Sequence, residues 1–144
     1  KKLGYVGRPK RVDAKLLKEI IKEDFVPVIV PMGLDEKGIS YNINADTAAG
    51  AIARSIKSRR LMLLTDIDGV LDSNDKLISE INTMQAKELI NNEVIHGGMI
   101  PKVKTCIDAI NNGVRAVVII DGRKPHSILF ELFSDQGAGT LIRK

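Results

Sequence analysis

The amino-acid sequence predicts an α/β fold in three layers, helices lying on both sides of a mainly parallel central sheet. Two patterns carry this reading. Short apolar runs that do not alternate with polar residues, at 26–30, 61–65 and 114–120, read as strands covered on both faces. Between them lie segments whose apolar residues recur at helical spacing, and strands alternating with helices imply a layered fold with parallel strands. Aromatic residues make up only 3% of the chain and Trp is absent, so the core is expected to be aliphatic.

Taken in order, residues 1–11 are rich in Gly and Lys and read as a loop or short strand. Asp13 is placed to cap a helix over residues 14–23, with Leu16, Leu17, Ile20 and Ile21 as its apolar face. Only Pro27 interrupts the β-branched run at 26–30. Residues 33–41, with Gly33 and Asp35-Glu36-Lys37-Gly38, suit a hairpin or loop. Residues 46–56 form a helix rich in Ala48, Ala49, Ala51 and Ala53, whose small side chains let it approach a neighbour closely. After the strand at 61–65, segments 69–71 and 77–78 flank the turn Ser73-Asn74-Asp75-Lys76 as a hairpin. Thr83 is expected to cap a helix over 84–91. The next helix begins near Gly98 and runs to Asn112. It carries Met99, Val103, Ile107 and Ile110 on one face, and Gly113 ends it. A strand at 114–120, a short helix at 127–133 and a strand at 140–142 complete the chain. No linker divides residues 1–144, which are expected to form one domain.

Bulk properties exclude several classes. The net charge is +4, with basic runs at Arg8-Pro9-Lys10-Arg11 and Lys57-Ser58-Arg59-Arg60. No nucleic-acid-binding motif accompanies them, so the positive excess suits a phosphate-bearing small ligand better than nucleic acid. The longest apolar stretch is too short to span a bilayer, and no leader pattern opens the chain, so a cytoplasmic protein with no membrane partner is expected. Cys106 is the only cysteine. It lies on an apolar helical stripe and reads as a buried structural thiol in a reducing compartment, not as a nucleophile. His96 and His126 are isolated, and no spacing of metal ligands is present, so no protein-held metal site is expected.

Three segments carry candidate chemistry. In Gly97-Gly98-Met99-Ile100-Pro101-Lys102, two glycines precede a helix and a lysine sits in its first turn. Bare amides, the positive end of the helix dipole and a full charge would together stabilise a phosphate or a transferring phosphoryl group. A glycine turn followed by a solvated lysine fits equally well. The spacing is not that of a Walker loop. In Asn42-Ile43-Asn44-Ala45-Asp46, extended chain would turn three short polar groups the same way, toward a substrate and a catalytic lysine. The competing reading is a helix cap cluster. In Leu63-Leu64-Thr65-Asp66-Ile67-Asp68-Gly69-Val70, a buried strand ends in polar residues, where ligands bind in open α/β sheets. Asp66 can accept from a ribose, Asp66 and Asp68 can hold a metal, or the segment is a capped turn.

In this order the three segments resemble the amino acid kinase family, and within it the members that phosphorylate N-acetylglutamate. The tail Ile119-Ile120-Asp121-Gly122-Arg123, Pro125-His126, Glu131-Leu132-Phe133 and Gly137-Ala138-Gly139-Thr140 fits the same members. The resemblance implies half of the full fold, the C-terminal, ATP-binding portion. It implies ATP-dependent phosphorylation of the side-chain carboxylate of N-acetyl-L-glutamate in arginine biosynthesis, with Mg²⁺ carried on ATP. It implies Lys102 as the lysine that stabilises the transferring phosphoryl group and Asp46 as the carboxylate that orients catalytic lysines. Asn42 and Asn44 fall at the acetylglutamate side, and Thr65, Asp66, Gly97 and Gly98 at the nucleotide. The family's first half, with glycine-rich loops and a second catalytic lysine, has no counterpart in these residues, so this chain alone is expected to be inactive. A homo-oligomer is implied for the full-length enzyme. Glu131 and Gly137 match the effector pocket of arginine-regulated members, whereas Val118 stands where histidine is frequent. Two alternatives stay open: another amino acid kinase, acting on aspartate, glutamate or carbamate, or a nucleotide-binding module without catalysis.

Overall fold

In a computed structural model, which describes residues 4–144, the chain runs through seven strands and five helices. Residues 1–3 of the expected first loop or strand lie outside the described residues. The order is β1 (Val6–Gly7), α1 (Ala14–Lys22), β2 (Met32–Leu34), β3 (Ser40–Ile43), α2 (Ala45–Ile56) and β4 (Arg60–Thr65). It continues with β5 (Glu80–Asn82), α3 (Thr83–Asn91), α4 (Met99–Asn111), β6 (Ala116–Asp121), α5 (Ser127–Phe133) and β7 (Gly139–Arg143). The larger sheet has the order β4-β6-β7-β5; β4 runs parallel to β6 and β5 to β7, while β6 and β7 are antiparallel. A smaller sheet has the order β1-β3-β2, with β1 parallel and β2 antiparallel to β3.

Local chemistry explains most boundaries. The Asp13 carboxylate accepts the amides of Lys15 and Leu16, both at 3.1 Å, and starts α1. Asp35 accepts the amides of Lys37 and Ile39 at 2.9 Å and closes the β2–β3 hairpin. At α3 the cap is Asn82, one residue before the expected Thr83. Its side chain takes the amides of Met84 and Gln85, and Gln85 returns a bond to the Asn82 amide, a reciprocal capping box. Gly113, with φ of 104°, follows α4 in a backbone conformation that other residues rarely adopt.

The core sits where β6 crosses the larger sheet. Val117 and Ile119 join a cluster with Val103, Cys106, Ile107 and Ile110 of α4 and Ala86 of α3. Val118 and Ile120 are equally buried on the other face, and α5 also packs on β6, so the strand is covered on both sides as its composition predicts. α2 meets α4 closely: a Cβ added at Gly50 would lie 3.0 Å from Thr105 Cγ2. This is the close approach its small residues suggest.

One expected strand fails to form, the doubly covered one at 26–30, where Val26 and Val28 are 87% and 93% exposed. The segment has strand composition but no strand among the described residues pairs with it, and an unpaired strand is not stable by itself. α1 packs against α2 with Leu17 and Ile20 half-buried, but no residue of α1 is fully buried. The three-residue strand β5 was not foreseen, since it carries only one apolar residue, Ile81.

Candidate active site

The functional edge follows from element lengths. α2 has 12 residues, about 18 Å of helix, and leads through the left-handed Lys57 into β4, whose 6 residues span about 20 Å. The start of α2 is therefore level with the carboxyl end of β4. α4, with 13 residues, returns in the same way through Gly113 to the 6 residues of β6. β4 and β6 are parallel and paired up to Thr65 with Asp121. Asp46, Gly97-Gly98, Lys102, Thr65-Asp66 and the loop after Asp121 thus share one edge, the side on which open α/β sheets bind ligands.

Lys102 and Asp46 meet on that edge. Lys102 Nζ donates to Asp46 Oδ2 at 2.7 Å, linking the first turns of α4 and α2. Both side chains are largely buried, 16% and 27% exposed, so the pair is held in a fixed geometry and still reaches solvent. Pro101 is tolerated beside Lys102 because its missing N–H is one that a first helical turn leaves unpaired anyway. Gly98 has ordinary helical angles, φ −67° and ψ −15°, and a Cβ there would meet nothing within 4 Å. The approach to this helix end is open, and α4 has no side-chain cap. The amides of Met99 and Ile100 are not bare, however. They turn to the carbonyls of His96 and Gly97 at 3.2 and 3.3 Å. Attraction for an anion here rests on the helix dipole, the open approach and Lys102.

The Asn-Asp segment differs from expectation. The strand stops at Ile43, and Asp46 lies in the first turn of α2, so Asn42, Asn44 and Asp46 do not alternate along one extended face. Asn44 is the cap of α2: its Oδ1 accepts the amide of Thr47 at 3.1 Å and the Thr47 hydroxyl at 3.2 Å. Asn42 is exposed on β3. At the end of β4, Thr65 Oγ1 donates to Asp66 Oδ1 at 3.3 Å. Asp68 does not converge with Asp66 on an ion site; it pairs with Lys124 at 2.7 Å. Among the described residues, no group of three or more His, Cys, Asp or Glu stands where it could hold a metal.

Sequence reasoning gave Asp121 and Arg123 no role of their own. The Asp121 carboxylate is buried and takes both side-chain and backbone bonds from Arg123, which hold its pKa down at about 2. The signal lay in a buried strand that ends in Asp and then Gly-Arg. Glu131 is also buried, paired with Arg60 at 3.2 Å and accepting the Ala138 amide at 2.8 Å. Cys106, one turn beyond Lys102, is fully buried, and burial pushes its thiol up to about 12, which keeps it protonated and inert. A groove of about 1320 Å³ lies elsewhere, between α1 and the β2–β3 hairpin, and is lined by none of the predicted site residues.

The chain belongs to the amino acid kinase family, whose signature matches residues 1–121. Within that family it is 62% identical over 144 residues to the acetylglutamate kinase of Pelagibacter ubique strain HTCC1062, covering all of this chain and 50% of that protein. This chain thus spans about half the length of the curated relatives it matches. Its fold matches the crystal structure of N-acetylglutamate synthase from Neisseria gonorrhoeae complexed with coenzyme A and L-arginine. The TM-score is 0.92 and the identity 26%, with 97% of this chain and 32% of that chain covered. Carbamate kinase from Giardia lamblia bound to AMP-PNP shares the fold at a TM-score of 0.73 and 21% identity, covering 96% of this chain and 47% of that chain.

Proposed function

We propose that residues 1–144 are the C-terminal, nucleotide-binding domain of a cytoplasmic enzyme that transfers a phosphoryl group from ATP to the side-chain carboxylate of N-acetyl-L-glutamate, in arginine biosynthesis. The carrying observation is the Lys102–Asp46 pair at the open start of α4, on the same edge as Thr65 and Asp66. An acceptor carboxylate oxygen attacks the γ-phosphorus, and the bond from that phosphorus to the bridging oxygen of ADP breaks. The enzyme's part is positioning and charge stabilisation. Lys102 meets the charge that spreads over the transferring oxygens, and Asp46 fixes its ammonium through a charge-assisted bond. Gly97 and Gly98 leave room for phosphates at the helix start, and Thr65 and Asp66 bind the nucleotide at the strand end. Mg²⁺ would be carried on the triphosphate and would offset part of its charge. Asn42 and Asn44 orient acetylglutamate; Asn44 uses its carbonyl for the cap and keeps its amide N–H donors for a carboxylate. The full-length enzyme assembles as a homo-oligomer.

The test uses this chain completed with the uncovered half of the Pelagibacter ubique relative, assayed by coupled ADP release. Turnover of N-acetylglutamate is expected. Turnover of carbamate or aspartate in its place would move the assignment to another kinase, and ADP binding with no turnover would favour a non-catalytic module. In the active protein, Lys102→Ala is expected to lower kcat roughly 10²-fold or more with a much smaller rise in the KM for ATP. An unchanged kcat would return Lys102 to a solvated helix lysine.

A further inference from the structure

Asp121 ends the central strand β6 with a carboxylate that is only 3% exposed. A buried charge needs partners, and this one takes three bonds from a single residue. The Arg123 amide donates at 2.9 Å, Nε at 3.0 Å and Nη2 at 2.9 Å. The double side-chain grip fixes the plane of the guanidinium. It leaves Nη1 uncommitted to Asp121, while the Arg123 side chain stays 66% exposed. The turn that carries it is tied to β4. The Gly122 amide donates to the Thr65 carbonyl at 2.9 Å, and a Cβ at Gly122 would lie 3.1 Å from Leu64 Cβ. Arg123 therefore stands beside Thr65 and Asp66, on the edge that holds Lys102. The bond to Asp121 favours its protonated form most, and the charges of Asp121, Asp66 and Asp68 add to this.

We infer that Arg123 is a nucleotide-recognition residue, whose free N–H edge donates to the ribose of the nucleotide while Asp66 accepts from a ribose hydroxyl. The inference rests on the nucleotide site proposed above. The sugar is chosen over the phosphates on charge. Around Arg123 stand the carboxylates of Asp66, Asp68 and Asp121, against the cations of Arg123 itself and Lys124. That surrounding opposes a polyanion. A ribose is neutral, and its hydroxyls both donate and accept, which matches an exposed carboxylate next to a fixed guanidinium. The phosphates fall to Lys102 and the open start of α4.

The test titrates ADP and inorganic pyrophosphate separately into the chain and its variants by calorimetry, with a melting curve for each. Arg123→Ala is expected to weaken ADP roughly tenfold, the size of one lost charge-assisted bond, and to leave pyrophosphate unchanged. Asp121→Asn is expected to weaken ADP in part, because the guanidinium remains but loses its tether; it carries the test if Arg123→Ala does not fold. Arg123→Lys is expected to fall between wild type and Arg123→Ala, since it keeps the charge and loses the fork. An ADP affinity for folded Arg123→Ala within twofold of wild type would overturn the inference and leave Arg123 as a brace of the turn. Equal losses for both ligands would do the same. If wild type binds neither ligand, the proposed nucleotide site itself fails and this inference goes with it.

Discussion

At the residue scale, the start of α2 holds a helix cap at Asn44 and an ion pair at Asp46, which different measurements separate. Asn44 holds the helix through Thr47, so Asn44→Ala is expected to cost about 0.5–2 kcal/mol of stability. Asp46 points its charge at Lys102, so Asp46→Asn in a completed, active chain is expected to lower kcat while the melting temperature moves less than for Asn44→Ala. Exposed Asn42, changed to Ala, is expected to raise the KM for acetylglutamate and to melt like wild type. If Asn42→Ala and Asp46→Asn both melt early with wild-type kinetics at a permissive temperature, neither belongs to the site. Asp121 sets an acid limb. Bonds from Arg123 hold its carboxyl at about 2 in the folded chain, below the value of about 3.9 for an unfolded one. A folded pKa below the unfolded one means that the stabilisation is complete above about pH 4 and disappears as the pH falls toward 2. Asp121→Asn lacks this titration. The gap in melting temperature between wild type and Asp121→Asn should therefore narrow between about pH 5 and pH 2. A constant gap would mean that Asp121 is not coupled to folding through its charge.

At the scale of elements, the limits are steric. A Cβ at Gly139 would lie 2.0 Å from the Ile119 carbonyl oxygen and 2.9 Å from Ile120 Cγ2. Both belong to the buried central strand, whose backbone cannot give way, so Gly139→Ala is expected to destabilise by about 3 kcal/mol or more in denaturant melts. A loss under about 1 kcal/mol would show that β7 can shift on β6. Elements that make their own contacts were legible in the sequence. Asp13 and Gly113 marked helix ends, and the spacing of Val103, Ile107 and Ile110 marked the buried face of α4. The cap of α3 was misplaced because Asn82 and Thr83 are both good caps. Gln85, three residues beyond Asn82, was the signal that decides between them. Residues 26–30 were misread because composition reports what a strand would bury, and only a pairing partner decides whether it does.

At the scale of the whole molecule, the apolar surface is unevenly spent. Phe25, Val26, Val28, Ile29, Val30, Met32 and Leu34 are all exposed within ten residues of chain, close after α1, whose Leu16 and Ile21 are exposed too. Patches of this kind promote association. The chain is therefore expected to self-associate with rising concentration in sedimentation experiments. Val28→Lys, at a position already 93% exposed, should reduce that association and leave the melting temperature unchanged. A drop in melting temperature would mean that Val28 packs in solution. The candidate site was more legible than this surface. Glycines before a helix, a lysine in its first turn and an acidic residue opening another helix are local signals, and Lys102 and Asp46 do meet. The Arg123 grip on Asp121 was not legible as part of it, because its place beside Thr65 depends on the pairing of β4 with β6.

Gly98 has a bearing on how mutational scans of this chain should be read. Its backbone angles suit residues other than Gly, and a Cβ there would meet nothing within 4 Å beyond its chain neighbours. A library selected for folding alone should accept nearly every amino acid at this codon. Any restriction that appears only when the library is selected for binding must come from a molecule outside the fold. Gly97, with φ of 55°, offers no such separation, since its backbone alone already disfavours most replacements.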